Sequence, residues 1–182
     1  MIFAIEIPHS IKEKIWDFSS KTLTNAFSEN PSGLKLVEKE KLHVTLKFVG
    51  KVSKDSGVKI IETAKSINFK PFIISLESIG FFPSANYIRV VWVGAISNDL
   101  ENLGKKLNEE LTKNNLCKYE EFSAHLTIAR VKVKNDSLKE LAGMYKDYKF
   151  GSFKITGFVL KKSKLSFDGS KYLDLEFFSS ES

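Results

Sequence analysis

The chain has 182 residues and a formal net charge of +6, and its length fits one domain or two small lobes. Its 42% apolar and 27% charged residues are typical of a folded globular protein and exclude a disordered, collagen-like or coiled-coil chain. The basic excess is spread along the sequence. It either favours a polyanionic partner such as nucleic acid or reflects a basic proteome, and composition alone leaves both open.

The single cysteine, Cys117, excludes an intramolecular disulfide and a zinc site built on several thiolates. It suits a reducing compartment, so we expect a cytoplasmic protein. Residues 1–8 contain Glu6 and no lysine or arginine, and they indicate a first strand and not a signal peptide. Because no segment approaches the roughly 20 apolar residues of a membrane helix, we expect no membrane partner.

Alternation and helical spacing predict strands and helices in turn along the first half of the chain. The first helix would begin at a capping box, Ser10 to Glu13, and bury Ile11, Ile15 and Phe18. In order, the predicted elements are a strand over 1–8, a helix over 10–27, a turn over 30–33, strands over 34–37 and 41–50, a helix over 55–67, and hairpin strands over 71–82 and 87–94 joined by a turn at 83–86.

The second half continues the pattern. Regularly spaced leucines predict a helix from Asn98, and a second capping box, Ser137 with Glu140, predicts a short helix to about Tyr148. The other predicted elements are strands over 121–131, 153–160, 164–167 and 172–177, with a two-residue hairpin turn at 168–169.

Grouped strands between helices favour the α+β class with antiparallel sheets. A helix followed by a strand that carries His-x-Thr occurs once in each half, at His43 and at His125. This repeat predicts a bilobal, pseudo-two-fold fold with flanking helices and a central cleft. Because no Pro- or Ser-rich linker separates the halves, we expect residues 1–182 to form a single domain.

Two of the three histidines share one local pattern, His43-Val-Thr45 and His125-Leu-Thr127. Side chains two residues apart on a strand project to the same face, so each motif offers an imidazole beside a hydroxyl. A single His-x-Thr is more often structural. Two copies on facing strands would gather two imidazoles and two hydroxyls in one cleft, which suits acid-base catalysis at phosphorus because histidine exchanges protons near neutral pH.

Other kinds of catalysis have weaker support. Neither histidine has a second metal ligand at ligand spacing on its strand, so the pattern favours chemistry without a metal. Cys117 has no histidine near it in sequence and is expected to be a bystander. Phosphate-binding loops of the G-x-x-x-x-G-K-[ST] or G-x-G-x-x-G type are absent, so ATP use is unsupported.

Several short motifs in a fixed order carry a resemblance to a known family. They are residues 1–8, His43–Gly50, Gly80–Pro83, Arg89–Gly94, Ala124–Val131, and Ser163–Leu165 with Gly169 and Tyr172. Over nearly the whole chain the sequence resembles the two-histidine (2H) phosphoesterases, and within them the LigT-like RNA 2′,3′-cyclic phosphodiesterases, formerly called 2′-5′ RNA ligases. It departs from the family pattern at Ala124, where an aromatic residue or proline is usual.

The resemblance implies an enzyme that opens the 2′,3′-cyclic phosphate at an RNA 3′ end, leaves a 2′-phosphate, and runs a weak ligation in reverse. It implies chemistry without a metal or cofactor. It also implies that the substrate is an RNA end, including the ends of tRNA fragments. By carry-over, His125 is the general base toward water and His43 the general acid toward the 3′ oxygen, although the sequence also allows the reverse. Thr45 and Thr127 would bind the non-bridging oxygens.

Further residues are candidates at this site. Lys47 shares the parity of His43 and is either a phosphate ligand or a solvated surface lysine. Arg130 matches an arginine of the family, but strict alternation places it opposite His125 unless the strand bulges. Phe82 and Tyr87 flank the hairpin turn and would either stack a base or pack in the core. Trp92 is predicted to lie in the core.

Two alternative functions stay open at this stage. One is a non-catalytic RNA-binding module that uses the same basic cleft, and the other is a phosphodiesterase of the same fold that acts on 2′-5′ oligonucleotides or small cyclic nucleotides. We expect a monomer, although an exposed edge strand would support a dimer.

Overall fold

The computed structural model describes residues 1–166 and 169–181, and it confirms the α+β class. The strands are Ile2–Glu6 (β1), Leu34–Leu36 (β2), His43–Phe48 (β3), Phe72–Ser84 (β4), Tyr87–Ile96 (β5), His125–Val131 (β6), Lys149–Ile155 (β7), Gly157–Ser166 (β8) and Gly169–Ser179 (β9). The helices are His9–Phe18 (α1), Thr24–Ala26 (α2), Lys54–Lys65 (α3), Asn98–Lys113 (α4) and Ser137–Met144 (α5).

Two antiparallel sheets form the two lobes. The four-stranded sheet has the order β3-β1-β8-β9, and the five-stranded sheet has the order β2-β6-β5-β4-β7. Each sheet therefore takes strands from both halves of the sequence, and the lobes do not coincide with the sequence halves. One His-x-Thr strand nevertheless lies in each sheet, β3 in the first and β6 in the second.

The two sheets share one hydrophobic core, in which buried side chains from both form a continuous cluster. Helix α4 contacts α3 and also one strand of each sheet, β3 and β4. Its leucines at 100, 103, 107 and 111 are buried, as the spacing predicts, and the Ser97 side chain caps its start by accepting a hydrogen bond from the Leu100 amide. Within the described residues, no helix has the length and apolarity needed to cross a membrane.

Both predicted capping boxes are wrong. Helix α1 begins at His9, with the Pro8 carbonyl accepting from the amides of Ile11 and Lys12, so Ser10 lies inside the first turn, where it cannot cap. Helix α5 begins at Ser137 itself, whose amide donates to the Asn135 side chain.

The predicted first helix is confirmed to within one residue at each end, because α1 is followed directly by a turn of π-helix over 19–23 and then by α2. In the π-helical turn the Ser19 hydroxyl donates back to the Ile15 carbonyl. Other element ends differ more from the predictions. Helix α5 ends at Met144, four residues before Tyr148. The predicted strand over 153–160 is two strands, because Thr156 separates β7 of one sheet from β8 of the other. Asp168 of the predicted hairpin turn lies outside the described residues.

Candidate active site

The two motif strands approach each other where the sheets meet. Strands β3 and β6 are in contact, and the cleft between the sheets is lined by His43, Thr45, His125 and Thr127. The side chains that strand alternation places on one face are therefore brought into one cavity. Val44, Leu46, Leu126 and Ile128, on the other face, are buried in the core.

The two imidazoles are held in the same way. In each case Nδ1 lies 2.7 Å from the backbone carbonyl oxygen two residues earlier, Lys41 for His43 and Ser123 for His125. A carbonyl oxygen only accepts, so Nδ1 carries the hydrogen in both rings. Nε2 is therefore the nitrogen that exchanges protons, as an acceptor in the neutral ring and a donor in the charged one.

A β-bulge in β3 corrects the prediction for Lys47. Phe3 pairs with Lys47 and Ala4 with Thr45, so Leu46 is an extra residue in the ladder. The bulge turns Lys47 away from the cleft, and its side chain is 2% exposed. Its Nζ donates to the Lys118 carbonyl at 2.7 Å and pairs with Glu120 at 3.2 Å. Lys47 is therefore buried, not solvated at the surface, and it does not line the cleft.

Strand β6 has a β-bulge at the equivalent position, and this bulge turns Arg130 into the cleft. Val91 pairs with Ala129 and Trp92 with Thr127, which leaves Ile128 as the extra residue. Strict alternation was therefore the wrong rule here, and the bulge returns Arg130 to the face of His125, where it lines the cleft. The two bulges give β3 and β6 the same local plan, with the fifth residue after each histidine in the cleft.

His43 has charged neighbours. Glu6 on β1 is its direct partner across the ladder and is held by Lys12 at 3.1 Å and Lys161 at 2.6 Å. Burial raises the pKa of Glu6, but these two ion pairs outweigh it and hold that pKa below its ordinary value. Burial lowers the pKa of His43, and the bond to the Lys41 carbonyl and the Glu6 charge oppose that shift, while the charges of Lys161 and Lys12 add to it.

His125 has aromatic neighbours instead. The Phe82 ring lies edge-on to it with centroids 4.9 Å apart, and the Trp92 ring is 6.3 Å away. Burial lowers the pKa of His125, opposed by the hydrogen bond to the Ser123 carbonyl. Trp92 is only half-buried, so its predicted place in the core is wrong, and it forms part of the wall behind the imidazole.

Seven residues that line the cleft were not among the predicted site residues, namely Lys35, Leu36, Val37, Glu38, Lys41, Phe48 and Tyr172. Tyr172 lies edge-on to His43 with centroids 5.3 Å apart, and Phe48 is 61% exposed. Lys35 on β2 pairs with Arg130 across the ladder, and the Lys41 amine forms an ion pair with Glu38 at 2.5 Å. Tyr172 and Phe48 belong to motifs of the resemblance, whereas the other five residues lie outside those motifs.

Two further observations concern other candidate residues. Tyr87 lies at the tip of the β4–β5 hairpin, in a second pocket separate from the cleft. In the part of the chain that the structure describes, no three His, Cys, Asp or Glu side chains gather as a metal site would require.

Comparison with known proteins is consistent with this arrangement. A model of the LigT like Phosphoesterase family matches residues 20–92 and again residues 93–172. The chain belongs to this family. The two matches each contain one His-x-Thr motif, which agrees with the internal repeat of this LigT-like phosphoesterase.

Relatives and solved structures extend the match over the chain. RNA 2′,3′-cyclic phosphodiesterase of Methanocaldococcus jannaschii is 40% identical over 174 residues, 94% of this chain and 95% of the relative. The protein of the same name from Archaeoglobus fulgidus is 36% identical over 98% of both. The crystal structure of Escherichia coli LigT in its apo form shares the fold, with a TM-score of 0.80 at 23% identity over 100% of this chain and 96% of that one.

Proposed function

We propose that the protein hydrolyses the 2′,3′-cyclic phosphate at RNA 3′ ends to a 2′-phosphate by two-histidine acid-base catalysis. The observation that carries the proposal is the pair of imidazoles in one cleft, each with Nδ1 tied to a carbonyl and Nε2 left to exchange protons. Water adds to phosphorus, the bond to the 3′ oxygen breaks, and that oxygen leaves as a hydroxyl. One imidazole takes the proton from water and the other supplies the proton to the leaving oxygen.

The surroundings of the two rings support His125 as base and His43 as acid. An acid must begin as imidazolium, and a carboxylate beside a ring favours its charged form. Glu6 is such a carboxylate at His43 and raises its pKa against the lowering by Lys12 and Lys161, whereas Phe82 and Trp92 flank His125. An apolar wall favours the neutral ring, which is the form a base requires.

The phosphate would be held from both lobes. Thr45 from the four-stranded sheet and Thr127 from the five-stranded sheet place hydroxyls in the cleft, and each would donate to a non-bridging oxygen. A well-placed donor of this kind is worth roughly 3 kcal/mol in the transition state. Arg130 adds a guanidinium, which suits a phosphate because its donors can bind two oxygens at once.

An aromatic side chain at the cleft suits the nucleoside that bears the phosphate. Phe48 is 61% exposed and lies on the same face as Thr45, so a base could stack on its ring for about 1–3 kcal/mol. Phe82 stays a weaker candidate for base stacking, because its ring already packs against His125. We assign it the task of holding that imidazole.

The test incubates RNA with a 2′,3′-cyclic phosphate end with the protein, His43→Ala and His125→Ala in EDTA, and identifies the product by phosphorus NMR. We expect turnover by the unaltered protein alone and a 2′-phosphate product. A 3′-phosphate would overturn the assigned leaving group. Activity that disappears only upon chelation would contradict metal-independent chemistry, and RNA binding without turnover would favour a binding module.

The same reactions test the finer parts of the proposal. An RNA with a free 5′ hydroxyl could replace water, which would form a 2′-5′ linkage while the same bond to the 3′ oxygen breaks. We expect this ligation to be weak. Rates measured on 2′-5′ oligonucleotides and on small cyclic nucleotides would test the alternative substrates. The cytoplasmic location and the monomeric state stay predictions, which fractionation and sedimentation would check.

A further inference from the structure

A second pocket lies at the tip of the β4–β5 hairpin, and we call it the hairpin-tip pocket. Four cationic side chains line it, namely Arg89, Lys132, Lys134 and Lys139. The one carboxylate among its lining residues, Asp136, pairs with Lys134 at 3.1 Å. Three cations therefore face the pocket without an acidic partner in its lining, which is a surface that suits a polyanion.

An exposed aromatic ring lies in the same pocket. Tyr87 is 56% exposed, and the Arg89 guanidinium lies 4.6 Å from the centre of its ring. The guanidinium also donates to the Tyr87 hydroxyl and, at 3.1 Å, to the Lys132 carbonyl. These bonds hold the aromatic ring beside the cations, a combination that single-stranded nucleic acid binders use.

Strand β6 joins the hairpin-tip pocket to the cleft. Arg130 lines the cleft, and Lys132, two residues later, lines the pocket. The ladder continues to that point, because the Lys132 amide donates to the Gly33 carbonyl at 2.8 Å. Lys132 lies seven positions after His125, which corresponds to about 23 Å along an extended strand. A short stretch of RNA would be needed to cross that distance.

We propose that the hairpin-tip pocket binds the phosphodiester backbone of the RNA strand that leads to the 3′ end in the cleft. This inference rests on the proposed function, since it takes the same RNA as the occupant. The cleft would recognise the end, and the pocket would contribute affinity from the nucleotides before it. The protein would therefore act preferentially on ends of RNA strands over isolated cyclic nucleotides.

The test reverses two charges in the pocket with the double variant Lys132→Glu/Lys139→Glu. Its matched control is Lys59→Glu/Lys105→Glu, which changes the net charge equally on α3 and α4. For an RNA oligomer with a cyclic end, we expect the pocket variant to raise KM about tenfold with kcat unchanged, and the control to match the unaltered protein. For a nucleoside 2′,3′-cyclic phosphate, all three proteins should have equal constants.

Binding measurements separate this inference from the proposed function. Fluorescence anisotropy with RNA that ends in a 2′-phosphate needs no turnover, and the slope of log affinity against log salt should fall by about 1.4 if two phosphate contacts are lost. Weaker binding by the pocket variant in a protein without turnover would support the pocket and overturn the function. Equal RNA affinity of the pocket and control variants would overturn the pocket, as would an equal rise of KM on both substrates.

Discussion

His43 and His125 occupy equivalent places on their strands, yet their surroundings differ in charge. Burial lowers the pKa of both imidazoles from the ordinary value of 6.5. An acid-base pair is most active between its two pKa values, where one ring is charged and the other neutral. We therefore expect a bell-shaped profile of kcat/KM against pH with its maximum below about 6.5, measured on a cyclic-phosphate substrate. A maximum near pH 8 would contradict the assignment.

Strict alternation would place Lys47 in the cleft and Arg130 outside it, and the structure has the opposite arrangement. Substitution of each residue should show this difference. Arg130→Gln removes a charged donor from the cleft and should lower kcat/KM by about tenfold to a hundredfold. Lys47→Gln alters a buried amine that holds the Lys118 carbonyl. It should lower the free energy of unfolding by about 1–3 kcal/mol and leave kcat/KM within about twofold.

Urea denaturation and steady-state kinetics on the two variants would check these opposite outcomes. A Lys47 variant with full stability and impaired turnover would show that the lysine acts on the substrate, contrary to the position of its side chain.

At the scale of elements, two bulges decide which side chains enter the cleft. Each His-x-Thr follows strand alternation, so the sequence predicted the faces of the histidines and threonines. The extra residues Leu46 and Ile128 are ordinary strand formers and give no signal in the sequence. Their presence depends on pairing with β1 and β5, which are contacts distant in sequence.

The β4–β5 hairpin depends on Gly80 for the placement of the aromatic wall behind His125. A Cβ on Gly80 would lie 2.2 Å from the Trp92 ring, which packs against Phe82 with centroids 5.3 Å apart. Gly80→Ala should therefore displace the indole, lower stability by about 1–3 kcal/mol and reduce kcat. Circular dichroism melts and kinetics would measure both effects.

Gly57→Ala provides the matched control for that variant. A Cβ there meets nothing within 4 Å, and the position is inside α3, so the substitution should stabilise the protein by about 0.5–1 kcal/mol and leave kcat unchanged. The double variant Gly80→Ala/Trp92→Phe, with a smaller ring, should recover part of the loss. If stability and kcat are not recovered, the effect of Gly80→Ala does not come from contact with the Trp92 indole.

At the scale of the whole molecule, the interlaced sheets bear on the proposal of a single domain. The four-stranded sheet combines β1 and β3 with β8 and β9, and the core is continuous between the sheets. We expect one cooperative unfolding transition, with equal calorimetric and van't Hoff enthalpies. The fragments 1–97 and 98–182 should each remain unfolded alone, because each lacks partner strands of both sheets. Separate melting of two lobes, or a folded fragment, would contradict this.

Local periodicity in the amino-acid sequence was enough to predict the class of fold, the order of most elements and the two paired motifs. It also carried the family resemblance, which rests on short motifs in order. Tertiary structure decided where two helices begin, at His9 and Ser137, and how strands from both halves of the sequence combine in each sheet. It also decided that Arg130 and Phe48 line the cleft and that Lys47 does not. Ladder register and burial are set by contacts between segments distant in sequence, and local patterns do not encode these contacts.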